Sequence, residues 1–115
     1  VMFARALAQD TPVLLLDEAT SNLDIRYSLS LLDSVRAGVA ERGKTVISVF
    51  HDINLAALFC DRLLLMSRGS LHSQGSVEDV LNAETIREVY AVEALVQDEP
   101  FSGSKQVFYR RDGKA

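Results

Sequence analysis

Two carboxylates in succession, Asp17 and Glu18, follow directly on the apolar run Val13-Leu14-Leu15-Leu16. Successive side chains of a strand point to opposite faces, so adjacent acids at a strand end can divide a task between a metal ion and a water. Phosphoryl chemistry uses that division, with one acid on Mg²⁺ and a separate group orienting the nucleophile. A second polar pair, His51-Asp52, ends the β-branched run Thr45-Val46-Ile47-Ser48-Val49-Phe50. A third pattern, Gly38-Val39-Ala40-Glu41-Arg42-Gly43-Lys44-Thr45, has the glycine, lysine and threonine spacing of a phosphate-cradling loop. Such a loop leaves a strand and opens a helix, so that helix amides face the anion. Here the order is helix and then strand, which predicts a helix stop at Gly43 and a solvated Lys44.

The elements that must carry these groups are legible from periodicity and punctuation. Residues 2–9 are strong helix formers, stopped by Asp10-Thr11-Pro12 because the residue before a proline leaves helical geometry. The run 13–17 reads as a strand buried on both faces, as in a parallel sheet. In open α/β sheets the carboxyl ends of the strands open onto the binding crevice. A polar loop over 19–24 precedes a helix whose apolar positions Ile25, Leu29, Leu32, Val35 and Val39 share one face. Residues 45–50 form a second core strand, and Asp52 is placed to cap a helix over 53–59.

Farther on, 62–66 and 70–74 read as strands joined through Arg68-Gly69-Ser70, with Gly75 closing the second. Ser76 opens a helix in a capping-box-like pattern with Asp79, a second short helix covers 84–92, and residues 94–96 and 106–109 form a closing hairpin.

A chain of 115 residues with 48% hydrophobic side chains has the size and composition of one ordinary domain. Its formal charge of −4 and scattered basic residues offer no stripe for a nucleic-acid backbone. Cys60 is the sole cysteine, lies among apolar neighbours and is expected to be a buried thiol. No apolar run approaches the ~18 residues of a membrane-spanning helix. His72 stands in the expected hairpin as a surface residue.

The ordered set of motifs from Met2 to Asp52 resembles the C-terminal half of the nucleotide-binding subunit of an ABC transporter. Ala4-Arg5-Ala6-Leu7-Ala8 is similar to the helix after that family's signature, and Leu14-Leu15-Leu16-Asp17-Glu18 to its Walker B strand. Ser21-Asn22-Leu23-Asp24 is similar to its D-loop, and Thr45 to Asp52 to its switch strand and histidine. The fold implied is α/β, the C-terminal half of a P-loop NTPase with mainly parallel core strands, helices and a small C-terminal β-hairpin. Residues 1–75 would be a partial ATPase core and 76–115 the C-terminal helices and hairpin of the same domain.

The resemblance also implies roles. Asp17 would hold Mg²⁺, Glu18 would orient or deprotonate the attacking water, and His51 would contact the γ-phosphate of ATP. Ser21, Asn22 and Asp24 would lie at the shared nucleotide, facing a second nucleotide-binding subunit. The other implied partners are transmembrane permease subunits and, indirectly, an extracytoplasmic substrate-binding protein, with the subunit cytoplasmic and peripheral on the inner face of the membrane.

The tail, with Ser76 to Asn82 followed by Glu84-Thr85-Ile86-Arg87-Glu88-Val89-Tyr90, is similar to importers of iron-siderophore, haem or cobalamin. A Walker A loop in strand–loop–helix context and a Ser-Gly-Gly signature do not occur in the sequence. The chain is therefore expected to be a fragment, inactive alone, that associates through strands or through the segment 94–109. Two further readings stay open: a non-catalytic interaction module or inert truncation product, and a small kinase using the 38–45 pattern.

Overall fold

The computed structural model describes residues 13–17 and 24–111, so the helix expected over 2–9 and most of the polar loop before residue 24 lie outside the described residues. The chain divides into two compact units, Val1–His51 and Asp52–Ala115. The functional boundary expected after residue 75 falls inside the second of these.

In the first unit, strand β1 (Val13–Asp17) is followed by helix α1 (Ile25–Arg42) and strand β2 (Thr45–Val49). The two strands pair in parallel, Val13 beside Thr45 through to Asp17 beside Val49. Asp24 starts α1: its Oδ1 accepts the Tyr27 N–H at 3.0 Å, which satisfies one of the donors a helix leaves open at its start. Gly43 stops α1 in the left-handed region at φ 65°, where only glycine is free of strain, and its N–H returns to the Val39 carbonyl. The buried stripe of α1 is Ser28, Leu32 and Val35. Ile25, expected on that face, is 62% exposed, because the stripe runs through Ser28 instead.

The expectation that β1 is buried on both faces is corrected. Leu14 is 3% exposed and Leu15 is 75% exposed, so among the described residues one face of the parallel pair is covered and the other is open. The alternation is what a strand covered on one face only shows.

The second unit begins with helix α2 (Ile53–Phe59), capped by Asp52, whose Oδ1 accepts the N–H groups of Asn54 at 3.0 Å and Leu55 at 3.3 Å. Ile53, Leu55, Ala56 and Ala57 are its buried residues. Cys60 follows as its C-cap, half-buried rather than fully enclosed. Strands β3 (Arg62–Ser67) and β4 (Ser70–Ser76) form an antiparallel hairpin. Leu63 and Leu65 point into the core, while Leu64 and Met66 are exposed.

Gly75 does not close β4. It pairs with Leu63, and β4 runs on to Ser76 opposite Arg62. Gly75 adopts φ 154°, and a Cβ there would stand 3.2 Å from Val80 Cγ2, so the helix packed behind it requires glycine.

Helix α3 (Val77–Val80) is capped by Ser76 Oγ accepting the Asp79 N–H at 3.1 Å, and helix α4 (Ala83–Tyr90) by Asn82 Oδ1 accepting the Thr85 N–H at 2.9 Å. Helix α4 ends at Tyr90, two residues before the expected limit, with Ala91 as its C-cap at φ 59°. Strands β5 (Ala94–Glu99) and β6 (Ser104–Tyr109) pair antiparallel within the chain, from Ala94 beside Tyr109 to Glu99 beside Ser104. Both outlast the expected apolar stretches. Glu99 closes the turn, accepting the N–H groups of Phe101 at 2.9 Å and Ser102 at 2.7 Å, and these bonds hold its carboxyl below the usual range. Val80, Leu81, Ile86 and Val107 form the most deeply buried part of the unit, and fully burying a side chain of this kind stabilises by about 1.5–3 kcal/mol each.

Candidate functional site

The parallel register brings the carboxyl ends of β1 and β2 side by side, because Asp17 pairs with Val49. Asp17 closes β1, and Glu18 follows it in sequence. Val49 closes β2, and the chain then passes through Phe50 to His51, which is exposed. The carboxyl ends of both strands therefore lie at the same edge of one parallel sheet, which is where such sheets present ligand-binding groups. Glu18, Ser21 and Asn22 lie outside the described residues. Asp24 is exposed, and its described contact is the cap on Tyr27.

The 38–45 pattern fails as a phosphate cradle. Gly38 lies within α1, Gly43 is its C-cap, and Thr45 begins β2. The end of a helix carries the negative pole of its dipole and outward carbonyls, so this turn presents the wrong polarity to an anion. Among the described residues no group of three or more His, Cys, Asp or Glu side chains converges as a metal site.

Several polar and charged contacts stand apart from the strand ends. His72 is the residue that the register skips between Leu65–Ser73 and Met66–Leu71, and this bulge sends its Nε2 to Glu88 Oε2 of α4 at 2.9 Å. It is exposed on the hairpin, as expected, and has this partner in addition. Lys105, on β6, reaches Asp98 at 3.0 Å and Glu78 at 3.2 Å, and these two carboxylates raise its pKa. The Tyr109 hydroxyl is raised as well, first by burial and then by Tyr90 and Asp52.

The sequence reading missed Asn54. Its side chain binds the backbone of Val107 at both ends of the amide, at 2.7 Å and 3.3 Å. A partner 53 residues away leaves no local signal by which to find it.

The fold is shared with part of a solved ABC transporter chain. An inward-facing structure of a transporter described as metal-chelate type superposes with a TM-score of 0.79 at 20% identity, over 95% of this chain and 44% of that one. Sequence relatives carry the assignment further. The haemin import ATP-binding protein of Pseudomonas aeruginosa is 44% identical over 96% of this chain, and the petrobactin import ATP-binding protein of Bacillus anthracis is 42% identical over 92%. The cobalamin import ATP-binding protein of Halobacterium salinarum is 38% identical over 93%. The chain spans 45%, 38% and 27% of those proteins' own lengths. No family model matches the sequence. The chain is thus similar to part of the ATP-binding subunits of ABC importers.

Proposed function

We propose that this chain supplies the Mg²⁺, water-activating and switch elements of an ATPase subunit that couples ATP hydrolysis to import. The observation that supports the reading is the parallel register of β1 with β2, which sets the strand ends at Asp17 and Val49 side by side. Mg²⁺ takes only one or two protein carboxylates and fills its shell with water and phosphate oxygens, so a strand-end acid such as Asp17 is a fitting donor. When bound, the ion neutralises charge on the phosphate oxygens. Glu18 orients the attacking water and accepts its proton. His51 donates to the γ-phosphate, a task suited to an imidazole near neutral pH. Ser21, Asn22 and Asp24 form the loop that meets a second nucleotide-binding subunit.

Permease subunits in the membrane, and through them an extracytoplasmic binding protein, are the proposed partners, with the subunit on the inner membrane face. No helix among the described residues is long and apolar enough to cross a membrane. A metal chelate of the iron-siderophore, haem or cobalamin type is the proposed cargo, supported by what the relatives are named for.

The test is ATP hydrolysis by the full-length protein carrying this sequence, with and without Glu18→Gln. The variant is expected to bind ATP as the wild type does and to turn over about a hundredfold more slowly or worse, the usual effect of losing a positioned base. Unchanged steady-state hydrolysis would overturn the role of Glu18. Absence of hydrolysis in the wild type would favour a non-catalytic module.

A further inference from the structure

Strand β6 lies against helix α2, and β5 against helix α4. The Arg110 N–H donates to the Glu93 carbonyl at 3.2 Å, so the hairpin pairs that exchange backbone hydrogen bonds are those in step with it, Leu95 with Phe108 and Gln97 with Gln106. Val107, opposite Val96, falls between them and turns its backbone N–H and C=O away from β5. One side chain of α2 meets both. The N–H donates to Asn54 Oδ1 at 2.7 Å, and Asn54 Nδ2 donates to the carbonyl at 3.3 Å. Asparagine suits this because one planar group carries both an acceptor and donors.

Two residues along β6, Lys105 makes a second tie. Its ammonium reaches Asp98 of β5 at 3.0 Å and Glu78 of α3 at 3.2 Å, with the lysine side chain 14% exposed. Apolar attachment is slight by comparison. Within 94–109 Val107 alone is buried, while Leu95 and Phe108 stand exposed. The remainder of the unit has buried residues of its own in Leu63, Leu65, Val80, Leu81 and Ile86. A segment with few buried apolar groups opens locally, at a lower free energy than the structure it rests on.

We propose that the C-terminal hairpin is a strap that opens while α2 and the β3–β4 hairpin stay folded, and that Asn54 is its latch. A two-stranded hairpin by itself is marginal in water, so the released strap gives up its ladder and its amides meet solvent. All of these ties lie within the unit Asp52–Ala115, so the strap is independent of the catalytic reading.

The test is peptide-resolved amide hydrogen exchange in the full-length protein, under conditions where closing outruns exchange. In the wild type, the amides of 94–109 are expected to exchange at least about tenfold faster than those of β3, and with a shallower dependence on urea, because opening the strap exposes less surface than unfolding the unit. Asn54→Ala leaves the N–H and C=O of Val107 unmet, and is expected to speed exchange across 94–109 by about tenfold to a hundredfold, with β3 and β4 within about twofold of wild type. Lys105→Met cuts the tie to α3 and is expected to speed the same segment by about threefold.

Equal urea slopes for 94–109 and β3 in the wild type, or acceleration spread evenly over the unit in Asn54→Ala, would show that the hairpin leaves only with everything else and would overturn the strap. Unchanged exchange of 94–109 in Asn54→Ala overturns the latch. If Asn54→Ala does not fold, Lys105→Met decides: its acceleration must be confined to the hairpin, and acceleration elsewhere, or none, overturns the proposal.

Discussion

Asp17 occupies the last paired position of β1, level with Val49, and its proposed task needs the negative charge more than the shape of the side chain. Replacing it by asparagine keeps the volume and one acceptor oxygen but removes the charge that favours a divalent ion. Asp17→Asn is therefore expected to shift the Mg²⁺ dependence of hydrolysis in the full-length protein to higher concentration, by about tenfold, since each 1.4 kcal/mol of lost binding is a factor of ten. A Mg²⁺ titration with the wild-type midpoint would count against the assignment. At this scale the strand ends at Asp17 and Val49 were legible because polar residues directly follow apolar, β-branched runs. Asp52 was legible as a cap for the same local reason. Asn54 was not, because its meaning depends on a backbone segment brought to it by the whole second unit.

The elements were legible where a capping side chain or a glycine marks an end. Asp52, Ser76 and Gly43 each act as their types and positions predict. Ends set by pairing were not legible: β4 passes through Gly75, and β5 and β6 extend through polar residues, because the ladder continues until the Glu99 turn closes it. The β3–β4 turn gives a direct test of local backbone energetics. Arg68 and Gly69 both have positive φ, 52° and 80°, the combination of a two-residue hairpin turn of the I′ type, which favours Asn-Gly. An arginine in the left-handed region carries strain that asparagine relieves through its short polar side chain. Arg68→Asn is expected to stabilise the chain by about 0.5–1 kcal/mol, read as a higher urea midpoint with an unchanged slope. A midpoint that stays or falls would show that the turn is not limited by Arg68.

At the scale of the whole chain, the pattern of β1 and β2 describes more burial than the described residues provide. Val13, Leu15, Ile47 and Val49 share one face of the parallel pair and are all exposed, while Leu14 on the opposite face is buried. Four apolar side chains side by side on a sheet form a patch of the kind that drives association. The strand itself was legible in the sequence; that one of its faces stands open was not, because a continuous apolar run does not say which face is covered. The 115-residue chain by itself is therefore expected to self-associate at low micromolar concentration. The contact is expected at this face rather than by exchange of the 94–109 segment, whose strands already pair within the chain. Leu15→Lys places a charge at the most exposed point of the patch and leaves the buried face untouched, so it is expected to shift the light-scattering mass toward 12.7 kDa without loss of helical signal. A wild-type chain that scatters as a monomer, or a variant that associates as strongly as wild type, would show that the exposed face of β1 and β2 is not what brings the chains together.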